Sequence, residues 1–213
     1  FLASVWGTQS ILLPYETLQA HGLLALEISG TKDAQAQPAI PAETTAPQST
    51  GRTLDPTRPM VALTFDDGPS DYTLKILGLL EQYGGKGTFC MVGNRIANYQ
   101  DVVAQVAAQG SEIATHTWSH KQLTSISRDA VASQLRRSMD AITNITGQPV
   151  TVLRPPYGSV NKEVKDVARS LGLTVVNWSI DTEDWKTNNA DATYKEIMRH
   201  VKNGSIILCH DVK

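Results

Sequence analysis

From Met60 onward, short apolar runs alternate with longer stretches in which apolar positions recur every three or four residues. The runs Val61 to Phe65, Thr88 to Val92, Glu112 to Thr115, Val150 to Leu153, Leu173 to Trp178 and Ser205 to Cys209 have the length of buried strands. Between them the period lengthens to that of a helix. Tyr72 to Tyr83 places Leu74, Leu77 and Leu80 on one face, and Gln100 to Ala108 stops at Gly110. A long helix starts at Ser127 and ends by Gly147, Asn161 to Leu171 stops at Gly172, and Asp191 to Lys202 stops at Gly204. Glycine suits these stops because the residue after a helix commonly turns left-handed. Strand, helix and strand repeated in this way predict right-handed crossovers and a mostly parallel α/β sheet, open or closed.

The first 59 residues read differently. Residues 31–59 hold Pro38, Pro41, Pro47, Pro56 and Pro59, half of the 10 prolines, and no aromatic residue, which predicts a Pro/Thr/Ala-rich linker. Residues 1–30 carry Trp6, Tyr15 and the apolar clusters Leu12-Leu13 and Leu23-Leu24-Ala25-Leu26, too little to fold alone. They are either the remnant of a preceding domain or a piece that packs on the main one, residues 60–213. Phe1 is not preceded by a basic, apolar leader, so a signal or membrane anchor is expected only upstream of it.

Composition narrows the function classes. With 41% hydrophobic residues among 213, the chain can bury a core. Its 19 basic and 21 acidic residues leave a charge of −2, so nucleic-acid binding has no electrostatic footprint. No apolar run approaches the roughly 18 residues of a membrane span. The 2 cysteines, Cys90 and Cys209, exclude a disulfide scaffold and read as buried thiols, since both sit in apolar runs.

Polar clusters fall at the C-terminal ends of the predicted strands, where parallel α/β folds collect their functional groups. In order they are Asp66-Asp67-Gly68-Pro69, His116-Thr117-Trp118-Ser119-His120, Arg154-Pro155-Pro156-Tyr157-Gly158, Asp181-Thr182-Glu183-Asp184-Trp185 and His210-Asp211. Three of the 5 histidines lie there. His200 instead suits the last turn of its helix, favoured by the helix dipole, and His21 carries no assigned role. Two histidines four apart and one carboxylate make a facial set of three ligands, which leaves a position open as catalytic zinc requires. A divalent ion there would polarise a carbonyl and acidify water. Two adjacent aspartates point in different directions, so one can bind the ion while the other takes a proton.

Thr64-Phe65-Asp66-Asp67-Gly68-Pro69, the His116 to His120 segment, Arg154-Pro155-Pro156-Tyr157-Gly158, Asp181-Thr182-Glu183-Asp184-Trp185 and Ile207-Leu208-Cys209-His210 resemble the five ordered motifs of the polysaccharide deacetylases. This is the NodB-homology family, carbohydrate esterase family 4. The resemblance runs from about Met60 to Asp211. It implies a distorted or incomplete (β/α) barrel in which Asp67, His116 and His120 hold a metal, usually zinc, with cobalt or nickel as substitutes. It further implies Asp66 as general base oriented by Arg154, and His210 as general acid with Asp181 on its other ring nitrogen. The metal and the Tyr157 N–H would hold the oxyanion, while Trp185 and Leu208 would wall the acetyl methyl.

The implied substrate is a polysaccharide. The segments from Arg154 to Val164 and from Asp181 to Asn188 look most like bacterial peptidoglycan N-acetylglucosamine deacetylases, with chitin oligomers as analogues. That implies an exported, cell-wall-facing enzyme, and a monomer is expected. The rivals are an O-acetyl esterase on acetylated xylan and an inactive carbohydrate-binding module. Family members usually continue with a further helix and strand, and six strands cannot close an eight-stranded barrel. An incomplete barrel with a gap near its first and last strands is therefore expected.

Overall fold

The structure, a computed structural model, describes the strand Leu12–Pro14 and residues 59–212. Its elements in chain order are β1 (Leu12–Pro14), β2 (Met60–Asp66), α1 (Thr73–Gln82), β3 (Thr88–Met91), α2 (Gln100–Gln109), β4 (Glu112–Thr115), α3 (Arg128–Thr146) and β5 (Val152–Leu153). There follow α4 (Lys162–Ser170), β6 (Thr174–Val175), β7 (Ile180–Asp181), α5 (Asp184–Thr187), α6 (Ala190–His200) and β8 (Ser205–His210). Local chemistry sets the helix ends. Ser127, Asn161 and Asn189 each accept a backbone N–H from the first turn of α3, α4 and α6. Gly110 and Gly147 close α2 and α3 in the left-handed conformation, at φ 83° and 66°. In α1 the buried stripe is Thr73, Ile76, Leu77 and Leu80, and Leu74 lies exposed. The face is rotated from the one the leucine spacing predicts because Thr73 turns inward to a buried hydrogen-bond partner, Asp211.

The sheet order is β6-β5-β4-β3-β2-β8-β7, with every neighbouring pair along it parallel. β1 runs antiparallel to the start of β2, with Leu12 opposite Ala62, so this part of residues 1–30 packs on the main sheet. The remaining residues before Pro59, including His21 and nearly all of the predicted linker, lie outside the described residues. The expected gap between the first and last strands of the main domain is absent, because β2 and β8 pair from Val61–Ser205 to Asp66–His210.

The run predicted as one strand, Leu173 to Trp178, is instead two short strands with different partners. β6 pairs with β5, and β7 pairs with β8. From Val175 to Ile180 the backbone can span no more than about 18 Å, so the sheet curls until its two edges meet in one run of chain. This makes a distorted (β/α) barrel, irregular on the side opposite β2 and β3.

Strand alternation gives the sheet two faces. The outer face packs Val61, Leu63, Phe65, Phe89, Met91, Leu153 and Ile207 into the core shared with the helices. The inner face holds a small cluster of Cys90, Ala114 and Val152, with Val176 against it. Cys90 pairs in register with Asp66, and Cys209 with Phe65. Consecutive residues point to opposite faces, so the two buried thiols lie on opposite sides of the sheet, and both are free. Among the described residues, no helix is long and apolar enough to cross a membrane.

Candidate active site

Four chemically active side chains follow from one alternation. Asp66 and His210 are register partners at the ends of β2 and β8. His116 and Arg154 each follow a strand end by one residue, and their N–H groups continue the ladder to Met91 and Thr115 carbonyls. All four stand on the inner row at the C-terminal rim.

Asp67 would point outward if β2 continued. Its φ of 76° turns the chain instead, and its carboxylate comes over the rim toward His116 and His120. Thr117, His120 and Tyr157 also have positive φ, at 69°, 55° and 60°, so several left-handed non-glycine residues lie around this rim. Such conformations persist only where the surroundings hold them, and they concentrate at functional sites.

One ligand atom each from Asp67, His116 and His120 lies within 4.8 Å of the others. Asp67 Oδ1 is 3.4 Å from His116 Nε2 and 3.2 Å from His120 Nε2, and it is buried without a hydrogen-bond partner among the described residues. His116 Nδ1 meets the Arg154 carbonyl at 2.6 Å. A carbonyl only accepts, so Nδ1 carries a proton, and Nε2 is the ring nitrogen left facing the Asp67 carboxylate. Two lone pairs facing each other in a buried site repel unless a proton or a cation stands between them. The donor set, two imidazoles and a carboxylate, suits a divalent cation with open positions. Where a proton stands there instead, burial still acts to raise the Asp67 carboxyl, but the hydrogen bonds and charge of the protonated His116 and His120 override it and hold the group far below the usual carboxylate range. An ionised ligand is what a cation requires.

Asp66 is 3% exposed and Arg154 1%. The Arg154 Nη1 donates to both Asp66 oxygens at 3.0 and 3.1 Å, Nη2 donates to the Thr64 hydroxyl at 3.1 Å, and Nε donates to the Val176 carbonyl at 2.7 Å. The guanidinium is thus fixed from three sides inside the barrel. Asp66 Oδ2 lies 3.8 Å from His116 Nε2, beside the candidate metal set without belonging to it.

The partner of His210 corrects the sequence reading. Its Nδ1 lies 2.7 Å from Asp184 Oδ1, and its backbone N–H donates to Asp184 Oδ2 at 2.8 Å. Asp181, expected there, instead accepts the Glu183 N–H at 3.0 Å and is exposed. The reason is the short helix α5. Asp181 pairs with Leu208 in the ladder, and Glu183, at φ 50°, then turns the chain so that the side chain of Asp184, the first residue of α5, reaches His210. Burial would lower the pKa of His210, but the Asp184 carboxylate, helped by Asp67 and Asp66, raises it above the ordinary histidine value.

Around the rim, Tyr157 is 68% exposed with its ring 4.8 Å from that of His120, and Trp185 is 60% exposed. Leu208 is buried in the sheet, with Thr64 of β2 and Asp181 of β7 as its register neighbours. Sequence reasoning missed Asp184 and the anchoring role of Thr64. Alternation carries a signal for Thr64, two residues before Asp66 and so on the same face. No spacing separates Asp184 from Asp181.

A sequence profile described as polysaccharide deacetylase matches residues 53–176. The chain is 38% identical over 157 residues to a peptidoglycan-N-acetylglucosamine deacetylase of Listeria monocytogenes, covering 73% of this chain and 33% of that protein. It is also 38% identical over 156 residues to chitin deacetylase 1 of Saccharomyces cerevisiae, covering 70% of this chain and 50% of that one. The solved structure of a peptidoglycan deacetylase from Bacillus subtilis superposes with a TM-score of 0.71 at 36% identity, over 75% of this chain and 78% of that one. The chain therefore spans between a third and a half of the length of these two curated relatives.

Proposed function

Because the chain belongs to the polysaccharide deacetylase family, we propose that it is a metal-dependent hydrolase that removes N-acetyl groups from N-acetylglucosamine residues of peptidoglycan. Acetate is released and glucosamine remains in the polymer. The observation that carries this reading is the unpartnered Asp67 Oδ1 facing the Nε2 atoms of His116 and His120, with a base and an acid standing beside it. Asp67, His116 and His120 hold the cation, zinc by preference, with cobalt or nickel able to replace it. When bound, the cation supplies Lewis-acid polarisation of the acetyl carbonyl and a more acidic water.

The chain's own residues do the rest. Asp66, oriented by the Arg154 guanidinium, accepts the proton of the attacking water. His210, whose imidazolium form the Asp184 carboxylate favours, gives a proton to the departing nitrogen. An amine leaves far less readily than an alkoxide, so an amide substrate depends on a proton from His210 more than an acetyl ester does. The Tyr157 N–H supports the oxyanion. The exposed Trp185 and the buried Leu208 bound the space for the acetyl methyl, and the exposed Tyr157 ring offers a surface to the sugar. The Listeria relative supports N-acetylglucosamine in peptidoglycan, and the yeast relative supports chitin oligomers as analogues. Action on the wall side of the membrane follows from that substrate.

The test is mass spectrometry of N-acetylglucosamine oligomers and peptidoglycan fragments incubated with the protein and zinc, alongside a chelated sample and Asp66→Asn. We expect acetyl loss that depends on metal and disappears in Asp66→Asn. Acetyl loss from acetylated xylan alone would replace the amide reading with the ester, and no turnover on any of them would leave only carbohydrate binding.

A further inference from the structure

Asp211 follows His210 off the end of β8 and is 1% exposed, unusual for an aspartate. Its groups explain the burial. The backbone N–H donates to the Asp66 carbonyl at 3.2 Å, and the backbone carbonyl accepts the Ser70 hydroxyl. The carboxylate Oδ2 accepts the Thr73 hydroxyl at the start of α1, while Oδ1 is without a partner among the described residues. Ser70 and Thr73 are themselves joined, the Ser70 N–H donating to Thr73 Oγ1 at 2.8 Å. α1 has no acidic residue in its first turn and no capping side chain, and the Asp211 carboxyl meets its first residue, Thr73, from the end of β8. Gly68 lies against the carboxylate so closely that a methyl group at that position would overlap it. Burial pushes the Asp211 carboxyl up to about 7, with the Thr73 hydroxyl acting against the rise.

The placement matters more than the burial. The turn from Asp66 to Ser70 carries both the proposed base and a proposed metal ligand, and Asp67 in it is left-handed. On the β3 side the turn is tied by the Val92 N–H to the Gly68 carbonyl at 2.7 Å and by Arg95 Nε to the Pro69 carbonyl at 3.2 Å. On the β8 side the Asp211 backbone makes two direct ties, to the Asp66 carbonyl and the Ser70 hydroxyl, and its carboxylate holds the turn through Thr73, whose Oγ1 accepts the Ser70 N–H. The residue next to Asp211, His210, is the proposed acid, so one buried residue stands behind all three groups.

We propose that Asp211 is a positioning residue that clamps the Asp66–Ser70 turn to the end of β8 and so sets Asp67 and Asp66 relative to His116, His120 and His210. The proposal rests on the reading that Asp67, His116 and His120 hold a divalent cation. Asp211 touches neither that cation nor the substrate and acts through the turn.

The test compares Asp211→Ala, Thr73→Val and Thr73→Ser with the unaltered chain. Three quantities are measured: zinc affinity by competition with a chromophoric chelator, kcat and KM at saturating zinc, and amide hydrogen exchange of residues 66–70 without metal. Asp211→Ala is expected to weaken zinc binding about 10- to 100-fold, as loss of an outer partner of a metal site does. It should also lower kcat with little change in KM and speed exchange in the turn. Thr73→Val should do the same to a lesser degree, and Thr73→Ser should restore all three values. Should Asp211→Ala fail to fold, the Thr73 pair decides by itself. Variants with lower thermal stability but unaltered zinc affinity and kcat would overturn the clamp. If the unaltered chain bound no zinc, the metal reading would fall and the clamp with it.

Discussion

On its outer face the sheet meets the helices through Val61, Leu63, Phe65, Phe89, Met91, Leu153 and Ile207, a core in which no group needs a particular partner. On its inner face the same strands, one residue out of phase, carry Thr64, Asp66, Cys90, Ala114, Val152 and Arg154. The outer face is held by burial of apolar area, which is non-directional and tolerates exchange among side chains of similar volume. The inner face is held by a guanidinium whose four hydrogen bonds end on a carboxylate, a hydroxyl and a carbonyl. Removing one member of such a network strands the others in a dry interior, so damage there exceeds what the pair contributes when intact. The two faces should therefore answer mutation differently, one through stability alone and the other through stability and chemistry together.

The sharpest break is Arg154→Met. It leaves Asp66 buried without its cation and should cost about 3–5 kcal/mol in chemical denaturation, along with nearly all activity. Adding Asp66→Leu to it should return most of the stability and none of the turnover. If the single variant lost activity but no stability, the inner face would not be the electrostatic core described above. A smaller effect is expected on the outer face. Leu135→Ala, in the fully buried stripe of α3, should cost about 2–5 kcal/mol while the folded fraction keeps its kcat and pH profile.

The smallest expected effect is a displacement along the pH axis. Asp184 raises the pKa of His210, so activity that needs the imidazolium falls as pH rises through that value. Asp184→Asn should move this high-pH limb to lower pH, read from kcat against pH. Stability obeys the same sign. Because the folded pKa lies above the unfolded one, the pair stabilises fully below the unfolded value of about 6.5 and the contribution disappears as pH rises through the folded pKa. The variant should thus lag the unaltered chain in thermal stability at acid pH and converge with it at alkaline pH.

Most of the helices and strands were legible in the sequence because their causes are local. The caps Ser127 and Asn161 and the stops Gly110 and Gly147 lie within a turn of the ends they set. Leu74 went astray for a non-local reason, since the face of α1 is fixed by the bond from Thr73 to Asp211, 138 residues away. The Leu173 to Trp178 run was misread for another. An apolar run says that a segment is buried, but it does not say that the partner changes from β5 to β8 midway.

The sequence by itself determined the parallel α/β architecture, the period of its strands and helices, and the identity of the residues gathered at the strand ends. Those depend on neighbours a few positions apart. Tertiary structure alone decided that Asp184 and not Asp181 faces His210, that β8 closes on β2, and that the sheet's edges meet between β6 and β7. Each of these turns on a chain reversal or a hydrogen bond between segments 20 or more residues apart. Such a contact is selected by the packing of the whole barrel, and the order of residues along the chain carries no mark of it.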